Sequence, residues 1–434
     1  MQKKIIALAV AGLMSGAAFA QSNVTIYGVL DIGYAQAGLD QNNSTTTAAG
    51  ISTATRSNTD LRSTGVQDGP LQSNRIGLRG TEDLGNGLKA LYNVEMGLTE
   101  ADYFGADSGP DTANAFTFRK QNIGLQGGFG TFTIGRQGVL IDEAWGVGSA
   151  GMQNNAYGDM YSSSNGASRG LSLVGTFNDF RANELITYVS PTFSGFTLAA
   201  QFGTGKTDTN AHTSTTLVVP VTYGDAEADH TNWGLRANYA NGPFAAVIAY
   251  NSEDNKASTL GGTSALNSAV HGGTETKKNA WIIGANYDFG IVKVFGQYFD
   301  GSRNGDLASG VVPYAGLVCK ADADLTGWEL GLHIPVTAQI TLAGSYFNTD
   351  SSTSAYTAAT AVSGTAQRGN GDGSGYQLAA LYSMSKRTTA YAMYGHESAD
   401  WNAHNYNTAT GLLISNQKSS ADVGIFAVGL RHTF

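Results

Sequence analysis

The amino-acid sequence predicts an all-β fold, a 16-stranded antiparallel transmembrane β-barrel. Three observations support this fold class. Apolar and polar residues alternate along segments spread over the whole chain, and short connections alternate with long ones between those segments. Only 14% of the 434 residues are charged, whereas soluble domains have about 25%. The 57 glycines, 20 tyrosines and 18 phenylalanines suit a sheet with a lipid-facing outer surface and small residues inside.

The first 20 residues predict a secretory signal peptide. Lys3 and Lys4 form a basic start, residues 5–14 are an apolar run, and residues 18–20, Ala-Phe-Ala, form a cleavage site. The apolar run is shorter than the roughly 20 residues that a membrane-spanning helix needs. We therefore expect residues 1–20 to be removed and residues 21–434 to form the barrel domain.

The charge and the remaining composition exclude several classes of protein. Without the two leader lysines the chain has 23 basic and 34 acidic residues, a formal charge of −11, which disfavours nucleic acid as a partner. Cys319 is the single cysteine, so an intramolecular disulfide is impossible. After residue 20 no stretch approaches 18 consecutive apolar residues, which excludes a helical membrane protein. An exported β protein remains, either periplasmic or secreted, or spanning the outer membrane.

The length of the alternating segments decides between those two classes. Most have about 9–12 residues, which a tilted strand needs to cross a bilayer, whereas soluble strands usually have about 5–6. We predict sixteen strands, at about 23–37, 72–83, 87–99, 117–127, 131–137, 184–191, 195–205, 231–240, 244–252, 279–289, 291–301, 325–336, 338–348, 375–384, 387–396 and 422–434.

The connections and the final strand support a barrel in the outer membrane. Tight turns alternate with long polar loops, predicted at about 38–71, 138–183, 206–230, 253–278, 302–324, 349–374 and 397–421. The final strand alternates and ends on Phe434, an expected assembly signal for the barrel-assembly machinery. We therefore predict an integral protein of the cell outer membrane of a Gram-negative bacterium, in contact with lipid and lipopolysaccharide.

Several stretches resemble the Gram-negative general porins of β-proteobacteria, the group that includes neisserial and Comamonas-type porins. The resemblance covers nearly the whole mature chain. It lies in SNVTIYGVLDIGY (22–34), NRIGLRGTEDLGNGLKALYNVE (74–95), FGTFTIGRQ (129–137), YVSPTFSGF (188–196), SKRTTAYAMYG (385–395) and VGLRHTF (428–434).

The resemblance implies a homotrimer whose third outer loop, 138–183, folds inward to narrow the pore. It also implies passive diffusion of small hydrophilic solutes and ions. That loop lacks the Pro-Glu-Phe-Gly-Gly of many family members, so the size and charge of the constriction stay open. The alternative is a substrate-selective channel on the same barrel, although the inward-parity aromatics Tyr27 and Phe295 do not form a ladder.

The second predicted strand places two arginines in the lumen. Because Ile76 and Leu78 take the lipid face, Arg75 and Arg79 point inward, where water can accommodate their charges. Arg75 matches the pore arginine of the family and predicts a basic wall of the constriction. The alternative is structural pairing with lumen acids such as Glu95.

The neighbouring strands add Lys120 and Arg136 to the predicted basic wall. Lys120 has inward parity, whereas Arg136 lies where its strand ends and parity is a weak guide. Arg119 falls outward by parity unless a bulge intervenes, although the resemblance makes it the pore residue of the fourth strand. This conflict stays open in the sequence.

The third loop supplies the opposing charges. If it folds inward, Asp142, Glu143 and Asp159 face the basic wall, and the opposed charges create a transverse field that orients solutes and sets ion preference. The alternative is a loop that stays outside in solvent.

No catalytic pattern accompanies these features. The seven histidines show no H-E-x-x-H spacing, and no Gly-x-Ser-x-Gly elbow precedes a helix. We therefore expect no catalytic residue, cofactor or metal, and an enzyme on a barrel, such as a phospholipase or protease, is the weakest hypothesis.

Overall fold

The structure is a computed structural model, and it describes residues 23–47, 55–98, 116–150, 181–209, 213–214, 221–222, 226–260, 271–307, 319–357, 365–407 and 412–434. No helix among these residues is long and apolar enough to cross a membrane. The strands are β1 (Asn23–Thr47), β2 (Thr55–Asp68), β3 (Arg75–Gly85), β4 (Leu88–Leu98), β5 (Phe116–Gly127), β6 (Gly130–Gly138), β7 (Arg181–Val189), β8 (Phe196–Thr209), β9 (Thr213–Ser214), β10 (Val221–Thr222), β11 (Ala226–Asn241), β12 (Phe244–Leu260), β13 (His271–Asp288), β14 (Lys293–Leu307), β15 (Cys319–Pro335), β16 (Ile340–Thr357), β17 (Thr365–Ser383), β18 (Thr388–Asn407) and β19 (Leu413–Thr433). In the described part of the chain, one helix, α1 (Leu140–Gly148), follows β6.

The strands form one closed antiparallel barrel. β1 pairs with both β2 and β3, the strands β3–β8 and β11–β19 each pair with the next in the series, β8 pairs with β11, and β1 pairs with β19 and so closes the ring. The short strands β9 and β10 form a separate hairpin. Because β2 and β3 pair with successive parts of β1, they are two halves of one interrupted strand, and the described barrel has sixteen strands. The predicted fold class is confirmed.

Side chains alternate between lipid and lumen as the sequence predicts. On β1, Ile26 and Ile32 are 60% and 48% exposed on the outside, whereas Asp31 and Ala35 are buried inside. Large aromatic residues, among them Trp233, Tyr287 and Trp328, are also exposed on the outer face.

The predicted lengths of the outer loops are wrong. Most of the predicted strands stop where the outward apolar alternation stops, yet nine of the observed strands, β1 and β12–β19, continue at least six residues beyond it. For example, β12 runs to Leu260 and β13 begins at His271. Above the apolar band both faces of the sheet are polar, so alternation is lost while backbone pairing continues. Glu253, for example, lies in a predicted loop but is a buried, inward residue of β12, paired with Lys278 at 3.2 Å.

Two segments leave the wall and fold into the lumen. The first is α1, whose Ile141 and Trp145 pack in an apolar cluster with inward residues of β12–β16, including Phe299. The third loop therefore folds inward, as expected, in its described part; residues 151–180, with Asp159, lie outside the described residues. The second segment is the turn 69–74 between β2 and β3, whose Leu71 lies in a cluster with inward residues of β1 and β16–β19.

Candidate functional site

The helix α1 is held against the barrel wall by small residues and hydrogen bonds. A methyl group at Gly148 would lie 2.7 Å from the Cα atom of Gly284, so the two backbones meet without side chains between them. Ser149 Oγ donates to the buried Glu329 carboxylate at 2.7 Å, and Asn286 Nδ2 donates to the Val147 carbonyl at 2.7 Å. Because α1 is fixed at its C-terminal end, its polar side takes a defined position in the lumen.

That polar side carries Asp142 and Glu143, two of the acids that the sequence assigns to the constriction. Glu143 forms an ion pair with Arg236, an inward residue of β11. Its charge is therefore largely compensated by the wall on which α1 is seated. Asp142 lines the lumen beside it.

The inward face of β3 and β5 carries Arg75 and Lys120. Gly77, two residues further along β3 and on the same face as Arg75, lies under the Tyr27 ring, and both Tyr27 and Arg75 line the lumen cavity. Arg75 is partly buried, and within the described part of the chain it makes no ion pair or hydrogen bond. Lys120, which lies opposite Glu95 in the pairing of β4 and β5, likewise makes no ion pair or hydrogen bond within the described residues.

A β-bulge resolves the parity of Arg119. The register of β4 and β5 passes from Glu95–Lys120 to Met96–Phe118, so Arg119 is an extra residue in β5. Two successive residues, Arg119 and Lys120, therefore lie on the lumen side. Alternation alone places Arg119 outside, and only the shift of register brings it inside.

Glu95 is the acid that the bulge brings into contact with the basic wall. Its carboxylate accepts hydrogen bonds from Arg119 Nε at 2.9 Å and from the Tyr27 hydroxyl at 2.9 Å. The alternative considered for Arg75, pairing with Glu95, is thus realised by Arg119. Arg75 and Lys120 lie near Glu95 but form no ion pair with it or with any other described residue.

These residues surround one cavity of about 390 Å³. Its lining contains a basic side on β3, β5 and the start of β7 and an acidic side on α1, with the following charged residues: Arg75, Glu95, Arg119, Lys120, Asp142, Glu143 and Arg181. The structure therefore brings the predicted basic residues Arg75 and Lys120 together with the predicted acids Asp142 and Glu143.

Two predicted residues lie elsewhere. The Arg79 guanidinium lies 4.9 Å from the centre of the Tyr27 ring, on the inward face but outside the cavity lining. Arg136 has outward parity with Ile134, and it donates to the Phe118 carbonyl at 2.7 Å and to Asn183 at 2.8 Å. The assignment of Arg136 to the basic wall is therefore corrected: the β6 strand keeps its alternation up to this residue and turns the side chain away from the lumen.

Sequence reasoning missed the interruption of the second barrel strand and the glycine contact beneath α1. The interruption has a local signal, the Gly69-Pro70 dipeptide, which marks a turn. The contact of Gly148 with Gly284 joins residues far apart in the chain and has none. The described residues also contain no cluster of His, Cys, Asp or Glu that could hold a metal ion.

Comparison with known proteins gives the family. A family model described as Gram-negative porin matches residues 7–402. The chain belongs to this family. An outer membrane porin protein of Bordetella pertussis is 28% identical over the full length of both chains. Outer membrane porin protein 32 of Delftia acidovorans is 32% identical over 68% of each chain.

The fold agrees with this assignment. The anion-selective porin from Comamonas acidovorans superimposes with a TM-score of 0.52, at 22% identity, over 95% of this chain and 100% of that chain. The protein is an outer-membrane porin, a diffusion channel in the outer membrane of a Gram-negative bacterium.

The C-terminal residue lies at the seam of this porin. Phe434 exchanges two backbone hydrogen bonds with Gly28, at 3.1 and 3.2 Å, and its ring occupies the space that a side chain at Gly28 would take. The predicted assembly signal is therefore also the last pairing that closes the barrel at this end.

Proposed function

We propose that the 390 Å³ cavity is the constriction of the channel and that it favours anions. The observation that supports this proposal is the difference in charge compensation across the cavity. Glu95 is paired with Arg119 and Glu143 with Arg236, whereas Arg75 and Lys120 have no ion-pair partner among the described residues. A positive excess remains on the basic side of the path that ions take.

The expected size of the effect follows from Coulomb's law. A fixed charge about 4 Å from an ion contributes roughly 1–4 kcal/mol before screening, depending on how much water separates them. Salt at physiological concentration screens charges beyond about 8 Å, so only residues at the narrowest point contribute strongly. Acidic residues of the wide outer mouth and outer surface therefore do not cancel the effect of Arg75.

The test is charge reversal at Arg75. Arg75→Glu should raise the cation-to-anion permeability ratio severalfold, because a charge of opposite sign then lines the cavity. The measurement is the zero-current potential of single channels in a planar bilayer under a tenfold salt gradient. Arg368→Glu, the same change at an exposed residue on the outside of β17, is the matched control and should leave the potential unchanged. Equal potentials for the two variants would refute the proposed constriction.

The resemblance to trimeric porins further motivates a homotrimer that resists detergent until heated, which light scattering in mild detergent tests. Passive diffusion, rather than selection of one substrate, is supported by the described lumen residues. Phe295 is buried against the His333 ring and the Tyr27 hydroxyl is engaged with Glu95, so these two aromatics do not form a binding path. The proposal assigns no residue a catalytic role.

A further inference from the structure

The second barrel strand is interrupted at one place by more residues than a bulge contains. On β1, Val29 pairs with Arg75 and Ile32 pairs with Asp68. Six residues, 69–74, therefore stand opposite two residues, Leu30 and Asp31. The excess cannot remain in the sheet, so the chain leaves the wall between β2 and β3.

The turn 69–74 goes into the lumen. Leu71 is 1% exposed, and its cluster consists of inward side chains such as Ala35, Tyr391 and Ile425. The wall leaves space for the turn because residue 33, which points inward, is a glycine. A methyl group at Gly33 would lie only 3.1 Å from Pro70 and 2.9 Å from the Tyr391 hydroxyl. Because the wall has both an apolar cluster for Leu71 and space for Pro70, the inward position of the turn is part of the fold.

Asp31 holds the turn in place. It is fully buried, and its Oδ2 atom accepts hydrogen bonds from the backbone N–H groups of Leu71 at 2.8 Å and Gln72 at 2.6 Å. Its Oδ1 atom accepts from the Tyr391 hydroxyl at 2.6 Å. An ionised carboxylate only accepts hydrogen bonds and can satisfy all three donors, whereas an amide has one acceptor oxygen and two N–H donors.

The same residue fixes the position of Arg75. The Asp31 carbonyl accepts from Gly69 N–H at 2.7 Å, and the Asp31 N–H donates to Asn74 Oδ1 at 2.6 Å. The turn is thus fastened at both ends, and Arg75 is the residue that follows Asn74. A change at Asp31 should reach the basic wall through the backbone.

We propose that the turn 69–74 is a second pore-narrowing element, which covers the wall next to the strands that α1 covers, and that Asp31 and Tyr391 are its positioning residues. Together with α1 it restricts the water path to the side of the barrel that carries Arg75, and so it limits the size of hydrophilic solutes that pass. This inference rests on the proposed function, in which the cavity beside Arg75 is the constriction.

The experiment compares inward and outward substitutions on the same strands. Asp31→Ala should raise single-channel conductance roughly twofold, because the N–H groups of Leu71 and Gln72 lose their acceptor and the turn is released. Tyr391→Phe removes one donor of three and should give a smaller increase. The matched controls are Asp40→Ala on β1 and Tyr394→Phe on β18, both exposed on the outer face.

A second measurement separates pore size from barrel stability. Liposomes containing each variant are swollen with neutral sugars of increasing size, and heat-modifiable gel mobility confirms that each barrel is folded. Asp31→Ala should admit larger sugars than wild type, and Asp40→Ala should not. If Asp31→Ala does not fold, Tyr391→Phe carries the same test.

The outcomes distinguish this inference from the function on which it rests. Unchanged or lower conductance, or an unchanged sugar limit, in folded Asp31→Ala or Tyr391→Phe channels would overturn the second element. If Arg75→Glu still shifts the zero-current potential in that case, the proposed constriction stands alone. If the Asp31 variant admits larger sugars but Arg75→Glu leaves the zero-current potential unchanged, the turn narrows the pore and the assignment of Arg75 to the constriction fails.

Discussion

The lumen has two unlike sectors. The covered sector, formed by the inward faces of β12–β19 and the outer half of β1, is lined by apolar side chains that pack beneath α1 and the turn 69–74. The open sector, formed by β3–β5 and Tyr27, carries Arg75, Arg119 and Lys120 around the cavity. One sector resembles a protein core, and the other is a charged surface.

The contrast between the covered and the open sector shows how a wide barrel limits the cross-section of its channel. A barrel of about eight strands can be filled by its side chains, but one of about sixteen leaves an aqueous channel. Inward apolar residues in such a barrel are stable only where another segment covers them, since exposure to water costs about 25 cal/mol per Å² of apolar surface. Inward charges mark the part of the wall that remains wet.

We expect the largest effect where β1 pairs with β19, because neither sector forms if the barrel does not close there. Deleting Phe434 removes the hydrogen bonds to Gly28 and the ring that covers it, and should abolish most outer-membrane protein while synthesis continues. Quantitative blotting of membrane fractions measures this. Phe289→Ala, at another exposed aromatic near a short turn, should leave the amount near wild type. Normal levels of the truncated protein would contradict the prediction.

The covered sector can be opened by a single side chain beneath α1. Gly148→Val places atoms where Gly284 and Gln297 already lie, so α1 must move off the wall and the conductance should increase about twofold. The control is Gly146→Val on the same helix, where an added methyl group meets nothing within 4 Å. Both variants introduce valine into α1, so they change the stability of the helix itself to a similar extent. Equal conductances would therefore show that α1 does not narrow the pore.

A change in ion preference alone, with assembly and conductance near wild type, is expected from the charge balance within the open sector. Glu95→Gln removes the acid that compensates Arg119, and should raise the anion preference about two- to fivefold. This is less than the effect of Arg75→Glu, since one unit of charge changes instead of two. Asp350→Asn, an exposed outward position on β16, is the control. A zero-current potential that does not move relative to this control would place Glu95 outside the ion path.

Much of the barrel could be predicted because its strand signal is local. The lipid selects apolar side chains at every second residue, so the alternation in the membrane-spanning parts reveals the strands and the inward parity of Arg75 and Lys120. Where the strands rise above the apolar band, the lipid no longer selects one face. The outer parts of β12 and β13 were therefore predicted as loops although their backbones are paired.

The alternation along the chain is enough to predict the barrel, its strand number and the charges that face the lumen on regular strands. The tertiary structure decided the inward position of Arg119, the outward position of Arg136 and the partner of Glu95. It also decided where α1 and the turn 69–74 are seated, through contacts such as that of Asp31 with Tyr391. The physical reason is the range of the interactions in the sequence. Alternation is visible within a few residues, whereas a bulge depends on the neighbouring strand. The hydrogen bond between Asp31 and Tyr391 joins residues 360 positions apart.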